Sequence, residues 1–472
     1  MGSLRVGGKL RKLRQERRLS QVQMAELIGI SPSYLNLLES NQRPVTARIL
    51  IQFAKQFQVD LSHLAADSTE QITTELMELF ADPLFETAEV KTSDVRDLAT
   101  TLPSIAKAVI DLYSAWRQHG GARGIQNGTE EPASGVASEE VMDFIQQANN
   151  HFPSLEEAAE HLWSEQGLSL HNLQQNLAEE LAQRFAVSVE IAPFQPGAQT
   201  LLRAYDPISR RLVLSELLPL ASRTFQMAHQ VAYLIARNEL DRLAGAGKFT
   251  SPEADALAKS ALANYFAAAV MMPYETFRRA SQATHYDVDV LQARFGASFE
   301  QVCHRLTTLR RPGAEGIPFH LVRVDVAGNI SKRFSASGIH IARFGAACPR
   351  WNVYDAFGTP GMLRLQVSRM PDGATFFCMA RTVRPAGRSA VRLGLSQRAS
   401  QLSIGIGCNI RHARDIAYSD GLHLEDAQII TPIGVSCRAC PRADCTDRAF
   451  PWAGQRLQID ENRRGLSAYV TP

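Results

Sequence analysis

Three cysteines near the carboxy terminus, Cys437, Cys440 and Cys445, are spaced C-x-x-C-x4-C in the segment TPIGVSCRACPRADCTDRAFPW, among Pro432, Gly434 and Pro441. A loop that tight lets successive thiolates converge on one point, and thiolates are strong ligands for zinc and iron. Cys408, in IGIGCNIRHARDIAYSDGL, is the expected fourth ligand, with His412 near enough in sequence to substitute for it. Four thiolates suit either tetrahedral zinc or a [4Fe-4S] cluster, and spacing alone does not separate them. The chain has seven cysteines and is expected to be cytoplasmic, where thiols stay reduced, so clustering points to metal rather than to disulfides. Cys303, Cys348 and Cys378 stand alone and read as buried hydrophobes.

A second constellation lies mid-chain. FQMAHQVAYLIARNEL reads as a helix, followed by a longer one, SPEADALAKSALANYFAAAVMMP, with Ser251 as N-cap and Pro252 at the first helical position. The longer segment resembles the helix ending AN-x-FAA-xx-x-MP of the ImmA/IrrE-type metallopeptidases, whose preceding helix carries H-E-x-x-H. Two histidines at i and i+4 bind zinc there, and the adjacent glutamate acts as general base. Here the motif reads His229, Gln230, Val231, Ala232, Tyr233, so the base is an amide and the second ligand a phenol. Near the expected third ligand, Ser260, Ala261 and Leu262 offer no carboxylate. One histidine does not hold a catalytic zinc, so the expectation is a protein that is not an enzyme, its peptidase-like module reused for binding and His229 and Tyr233 lining the former cleft. A zinc peptidase cleaving a partner repressor is one alternative, and a DNA-binding protein with a structural zinc is the other.

The elements around these residues begin with a basic head. Residues 1–64 carry ten Lys or Arg against four acids, +6, and the rest of the 472-residue chain is about −4, as for a phosphate-binding module on a body that does not touch DNA. Val6, Leu10 and Leu13 recur at helical spacing, Ser20 caps a helix from Gln21 to Ile28, Gly29 ends it, and Ser31 and Pro32 open the next. SQVQMAELIGISPSYLNLLESNQRPV resembles the Cro/C1-type (XRE) helix-turn-helix family, whose second helix enters the major groove. The resemblance places Gln21, Ser33, Tyr34 and Asn36 toward base edges, and Arg14, Asn41, Gln42 and Arg43 toward phosphates.

Helix-period apolar positions over 70–118, broken at Pro83 and Pro103, predict a helical spacer or dimerisation segment (67–118), and GGARGIQNGTEEPASGVASEE predicts a flexible linker (119–138). A helical and mixed module is expected over 139–315. From Gly316, HLVRVDVAGNISKRFS, MLRLQVSRMP and ATFFCMARTVRP predict strands of a small sheet domain (316–472) that ends in the cysteine loop. The fold class is therefore multidomain α+β, with an all-α lambda-repressor-like head (1–66). No apolar run reaches the ~20 residues of a membrane span, and the charged start MGSLRVGGKLRKLRQERR does not read as a signal peptide.

Taken in order, the XRE-type head, the broken zinc motif, the stretch SASGIHIARFGAACPRWNVYDAFGTPG and the CRACPRADC loop resemble the short-chain fatty acyl transcriptional regulator (ScfR-like) family. This family includes regulators of propionate, methylcitrate and acetate/glyoxylate metabolism. The resemblance implies a regulator that senses acyl-CoA or CoA, binds a double-stranded operator as a homodimer or higher homo-oligomer, and carries a [4Fe-4S] cluster on Cys408, Cys437, Cys440 and Cys445, which tips the metal choice away from zinc. A CoA thioester needs an apolar slot and cations for its phosphates, for which Arg278, Arg279, Arg343, Arg350, Trp351 and Tyr354 are the candidate lining.

Overall fold

The computed structural model describes residues 14, 19–39, 43, 49, 52, 57, 68–85, 90–118, 134–193, 201–343, 347–385 and 401–453. Asn41 and Gln42 lie outside the described residues, as do 119–133 of the expected linker. The chain forms two units, Met1–Leu76 with Ser93–Lys107, and Met77–Thr92 with Ala108–Pro472.

In the first unit, helices α1 (Gln21–Leu27) and α2 (Pro32–Glu39) pack around Met24, Ala25, Ile28, Leu35 and Leu38. Their boundaries follow from local chemistry. Ser20 accepts from the Gln23 N–H at 3.2 Å and the Gln23 side chain returns to the Ser20 N–H at 2.9 Å, a complete capping box. Gly29 sits at φ +67°, which L-residues with a Cβ seldom adopt, and turns the chain toward α2. The Ser31 hydroxyl then accepts from the Tyr34 N–H at 3.1 Å, with Pro32 at the first position of α2.

Helices α3 (Ser68–Phe80), α4 (Thr92–Thr101) and α5 (Pro103–Gln118) follow, interrupted near Pro83 and Pro103 where the sequence predicts. In the second unit Phe80, Phe85, Tyr113 and Trp116 form a chain of ring contacts, and the Tyr113 hydroxyl donates to Asp82 at 2.6 Å.

The rest of that unit opens with α6 (Ser134–Gln147), which occupies the last part of the expected linker: Ala137 and Val141 are buried, so the stretch has an apolar face after all. Helices α7 (Pro153–Gln166) and α8 (Leu173–Phe185) lead to a three-stranded sheet of β1 (Ser188–Ala192), β2 (Arg203–Asp206) and β3 (Arg211–Ser215), ordered β1-β3-β2. Then come α9 (Leu220–Ile235), α10 (Arg237–Ala246) and α11 (Pro252–Met271), with Ser251 capping α11 through the Ala254 N–H at 3.1 Å. Helix α11 is apolar nearly all round, and its run of buried alanines lets α6, α7, α9 and α10 pack closely against it. Helices α12 (Tyr274–Ala283), α13 (Val288–Phe295) and α14 (Phe299–Thr307) complete this half.

A six-stranded sheet follows: β4 (Phe319–Asp325), β5 (Ile330–Ser335), β6 (Arg364–Arg369), β7 (Thr375–Val383), β8 (Leu402–Asn409) and β9 (Ile430–Pro432), ordered β5-β4-β8-β7-β6-β9. Only the β6–β9 pair is parallel. Side chains alternate between faces along each strand. Phe319 and Leu321, Phe377 and Met379, and Ile404, Ile406 and Cys408 bury against the helices. Val322 and Val324, with Phe376, Cys378 and Ala380, form a second core beneath the short helix α15 (Asn352–Asp355), together with Cys348, Trp351 and Val353. The first of these cores runs without a break from Val141 to Leu424. The expected boundary at 315/316 is therefore not a boundary between cores: the helical half and the sheet share one.

Candidate functional site

Three places carry the residues singled out by sequence. In the helix-turn-helix, Ser33 and Asn36 are exposed and lie i, i+3 on one side of α2, as base-reading residues must be. Tyr34 is half-buried against the small core, with the Arg43 guanidinium 5.9 Å from its ring centre. Gln21 donates to Asn36 at 3.3 Å and to Glu39 at 2.9 Å, which orients the Asn36 amide. Arg14 is not free for phosphate. Its Nε and Nη2 donate to the two carboxylate oxygens of Glu39 at 2.7 and 3.1 Å, and its Nη1 donates to the Leu19 carbonyl at 3.2 Å. Glu39 is 3% exposed, so its buried charge needs this partner, and the residue expected on the backbone of DNA instead closes the fold.

In the second unit, His229 and Gln230 are buried on α9, and the His229 ring meets the ring of Tyr233 edge-on at 5.2 Å. Burial, with Arg203 close by, lowers the imidazole pKa to about 4, so the ring is neutral at physiological pH, and one of its nitrogens bonds the Ser260 carbonyl. The Nη2 of Arg203, from β2, donates to the Gln230 side-chain oxygen. The helix that would carry a zinc motif thus faces a guanidinium. One imidazole beside a guanidinium, with Gln230 and Tyr233 where the motif has a glutamate and a second histidine, falls short of the three protein ligands of a catalytic zinc.

The third place is the cysteine loop. The Cys348 N–H donates to the Val435 carbonyl at 3.1 Å, and the Cys348 thiol receives backbone N–H groups of Gly434 and Arg350 and lies within electrostatic reach of Cys437 and Cys440. Burial raises the thiol pKa of both Cys348 and Cys440, and Cys440 in turn feels Cys445. Gly434 is the floor of the loop, where a Cβ would stand 2.8 Å from the Cys440 Sγ. Arg448, 7% exposed, braces the loop from within by donating to the carbonyls of Cys437 at 2.8 Å, Cys440 at 2.9 Å and Phe450 at 3.3 Å, and also to that of Arg442. The Ala449 N–H reaches the Cys437 sulfur at 3.4 Å.

Cys408 is not part of this group. It lies on the face of β8 turned to the helices, paired with Phe319 and Phe377 across the sheet, and its electrostatic neighbours are Cys378 and Asp415. Strand alternation sends it to the opposite side from Cys348. Cys348, which the sequence reading set aside, lies instead within electrostatic reach of Cys437 and Cys440, and Cys440 within reach of Cys445. One signal was present: Cys348–Pro349 repeats the Cys–Pro pair of Cys440–Pro441. Among the described residues no three His, Cys, Asp or Glu side chains stand close enough to grip a single metal ion.

The expected CoA lining is dispersed. Arg278 and Arg279 both bind Glu275 on α12, Arg343 pairs with Asp143, and Arg350 lies 3.3 Å from Asp447. Trp351 is buried at the N-cap of α15 and Tyr354 is half-buried on that helix, where burial raises the phenol pKa to about 12.

Comparison with known proteins follows the same division. Residues 308–469 match the family described as short-chain fatty acyl coenzyme A regulator, C-terminal. Residues 182–307 match the IrrE N-terminal-like domain, and residues 10–64 a helix-turn-helix domain. The HTH-type transcriptional regulator RamB of Mycobacterium tuberculosis is 38% identical over 480 residues, 100% of this chain and 99% of that protein. The chain belongs to the short-chain fatty acyl coenzyme A regulators. HTH-type transcriptional regulator PrpR of the same organism is 37% identical, across 97% of this chain and 93% of that protein. A protein of Cereibacter sphaeroides named propionyl-CoA carboxylase regulator is 38% identical, across 99% and 98%. A solved structure described as a Mycobacterium tuberculosis transcriptional regulator superposes with a TM-score of 0.66 at 40% identity, over 71% of this chain and 99% of that one. The chain is accordingly a helix-turn-helix transcriptional regulator, and no helix among its described residues is long and apolar enough to cross a membrane.

Proposed function

We propose that the protein regulates transcription of short-chain fatty acid metabolism genes in response to acyl-CoA or CoA, and that Cys348, Cys437, Cys440 and Cys445 hold a [4Fe-4S] cluster. What supports the cluster assignment is a loop pinned by Arg448 on which Cys348 neighbours Cys437 and Cys440, and Cys440 neighbours Cys445, with backbone N–H groups directed at the Cys348 and Cys437 sulfurs. Such N–H groups and cations stabilise thiolate charge, and they are what tunes an iron–sulfur centre. Zinc bound at ~2.3 Å by each sulfur would need thiols about 4 Å apart. The preference for iron and sulfur over zinc comes from the matching family and not from the spacing of the thiols. When bound, the cluster would supply a redox-active or iron-responsive centre. The chain's own part is to present four sulfurs, shield them by burial and neutralise them with Arg448 and Arg442.

The acyl-CoA reading rests on the relatives, one of which is named for propionyl-CoA carboxylase, and on the matching family description. Effector binding or cluster status would favour one arrangement of two DNA-binding heads over another in a dimer or higher homo-oligomer, and so alter the fit to two half-sites. Anaerobic purification followed by a spectrum and metal analysis tests the cluster: broad absorbance near ~410 nm and stoichiometric iron are expected. One equivalent of zinc with no iron would overturn it. Calorimetry with CoA, acetyl-CoA and propionyl-CoA tests the effector. No heat and no thermal stabilisation with any of the three would remove it.

A further inference from the structure

The α9 face bearing His229, Gln230 and Tyr233 has two polar atoms unaccounted for. The Arg203 Nε is buried with no hydrogen-bond partner among the described residues, and so is the Nδ1 of His229, a residue that is only 6% exposed. The guanidinium has a neutral amide, Gln230, as its side-chain partner, and the Tyr233 phenol is the group whose field it feels. Among the described residues no carboxylate figures among the groups acting on this guanidinium. Arg203 is half-buried, and its Nε, shut off from water with no described counter-charge, suits an anion.

The histidine specifies the anion further. With its other nitrogen donating to the Ser260 carbonyl, the neutral ring leaves Nδ1 as a bare lone pair, an acceptor waiting for a donor. Arg203 therefore asks for an oxygen anion and His229 for an O–H, a short distance apart on one face.

We propose that Arg203, His229 and Tyr233 form a binding site for a small oxyanion that also carries a hydroxyl, either a 2-hydroxycarboxylate or monohydrogen phosphate. The anion takes Arg203 Nε–H, the hydroxyl donates to His229 Nδ1, and the Tyr233 phenol borders the site. The face that would hold a metal dication in an H-E-x-x-H helix is thereby converted to an anion receptor, its positive charge supplied by the side chain of β2. This inference does not rest on the acyl-CoA reading, since none of its ligands contains CoA.

The test is calorimetry and thermal melting of the full chain at pH 7 and constant ionic strength with four sodium salts: lactate, phosphate, sulfate and acetate. Lactate or phosphate should bind and raise the melting temperature, with sulfate and acetate, which lack the hydroxyl at this pH, at least tenfold weaker. Lactate without phosphate identifies a hydroxy acid, and phosphate without lactate a phosphate group. Arg203→Gln should weaken the binding at least tenfold, and His229→Leu should bring the favoured salt down to the level of sulfate and acetate. No response to either lactate or phosphate, equal affinity for all four salts, or undiminished binding by a folded Arg203→Gln protein would overturn the proposal. The wild-type salt series decides even if a variant fails to fold.

Discussion

Arg305 and Glu156 offer the most direct test of how the second unit is held together. Both side chains are essentially inaccessible to solvent, at 0% and 1%, and they join as a fork-to-fork pair with Nη1–Oε1 at 2.6 Å and Nη2–Oε2 at 2.9 Å. Arg305 Nε also donates to the Met272 carbonyl at 2.9 Å, at the end of α11, and Tyr265 donates its hydroxyl to Glu156 at 2.6 Å. One pair thus ties α7, α11 and α14. Arg305→Met keeps the stem but leaves a buried carboxylate with only the Tyr265 hydroxyl, and breaking a buried pair in this way costs about 3–5 kcal/mol. At roughly 2 °C per kcal/mol for a large domain, the melting temperature should fall by about 6–10 °C. Arg305→Met with Glu156→Leu removes both charges and should recover most of that loss. Acid supplies a second reading. Burial pushes the Glu156 carboxyl pKa up, but the Arg305 charge and hydrogen bonds outweigh it and hold the pKa below the usual value. The stabilisation is therefore complete above the unfolded carboxyl pKa of roughly 4.3 and is lost as pH falls through the lower folded value. Glu156→Gln should flatten that acid limb. Scanning calorimetry and circular dichroism between pH 2.5 and 8 would measure both effects. A loss under about 1 kcal/mol in Arg305→Met, or a double variant no more stable than the single one, would refute the reasoning.

Three further outcomes are expected. Serine at Cys348, Cys437, Cys440 or Cys445 should abolish absorbance near ~410 nm in anaerobically purified protein, whereas Cys408→Ser should retain it. Asn36→Ala should weaken specific DNA binding by about 1–3 kcal/mol, close to 5–150-fold, with little change in nonspecific binding, as measured by fluorescence anisotropy at fixed salt. Restoring the zinc motif with Gln230→Glu and Tyr233→His should not by itself create a zinc site by metal analysis, because Arg203 still faces that helix and Ser260 supplies no carboxylate.

What could be read from sequence was what neighbouring residues decide. The Ser20 capping box, the turn at Gly29, Ser31 with Pro32 and Ser251 with Pro252 all act within four residues, and each lies where the sequence places it. The broken zinc motif was legible for the same reason. What escaped depends on pairings between distant segments. Arg203 meets Gln230 across 27 positions and Arg14 meets Glu39 across 25, and neither arginine differs in sequence from a solvated one. The strands β1, β2 and β3 are four or five residues long, too short for alternation to stand out. The run HLVRVDV announced a strand, but nothing local reveals that its Phe319 face completes the core of the preceding helices.

Cys408 shows how the sheet divides the two halves of this unit. Along β8, Ile404, Ile406 and Cys408 alternate with Gly405 and Gly407, so one face is bulky and packs on helices while the other is flat. The flat face is where α15 settles: a Cβ at Gly405 would come within 2.4 Å of the Val353 side chain. Cys348, just before α15, and the loop after β9 share that side, held together by the Cys348–Val435 hydrogen bond. The helices that carry His229 contribute to the core on the other side. Ligation of the four thiols would therefore fix α15 and the loop against a sheet whose opposite face is part of the α9 and α11 core. Because that core is continuous, a displacement of β8 imposed from the cysteine side would press on the helices packed against its other face. The alternation of glycine with larger residues along this strand thus makes one sheet a common wall for the cysteine loop and the α9 and α11 core.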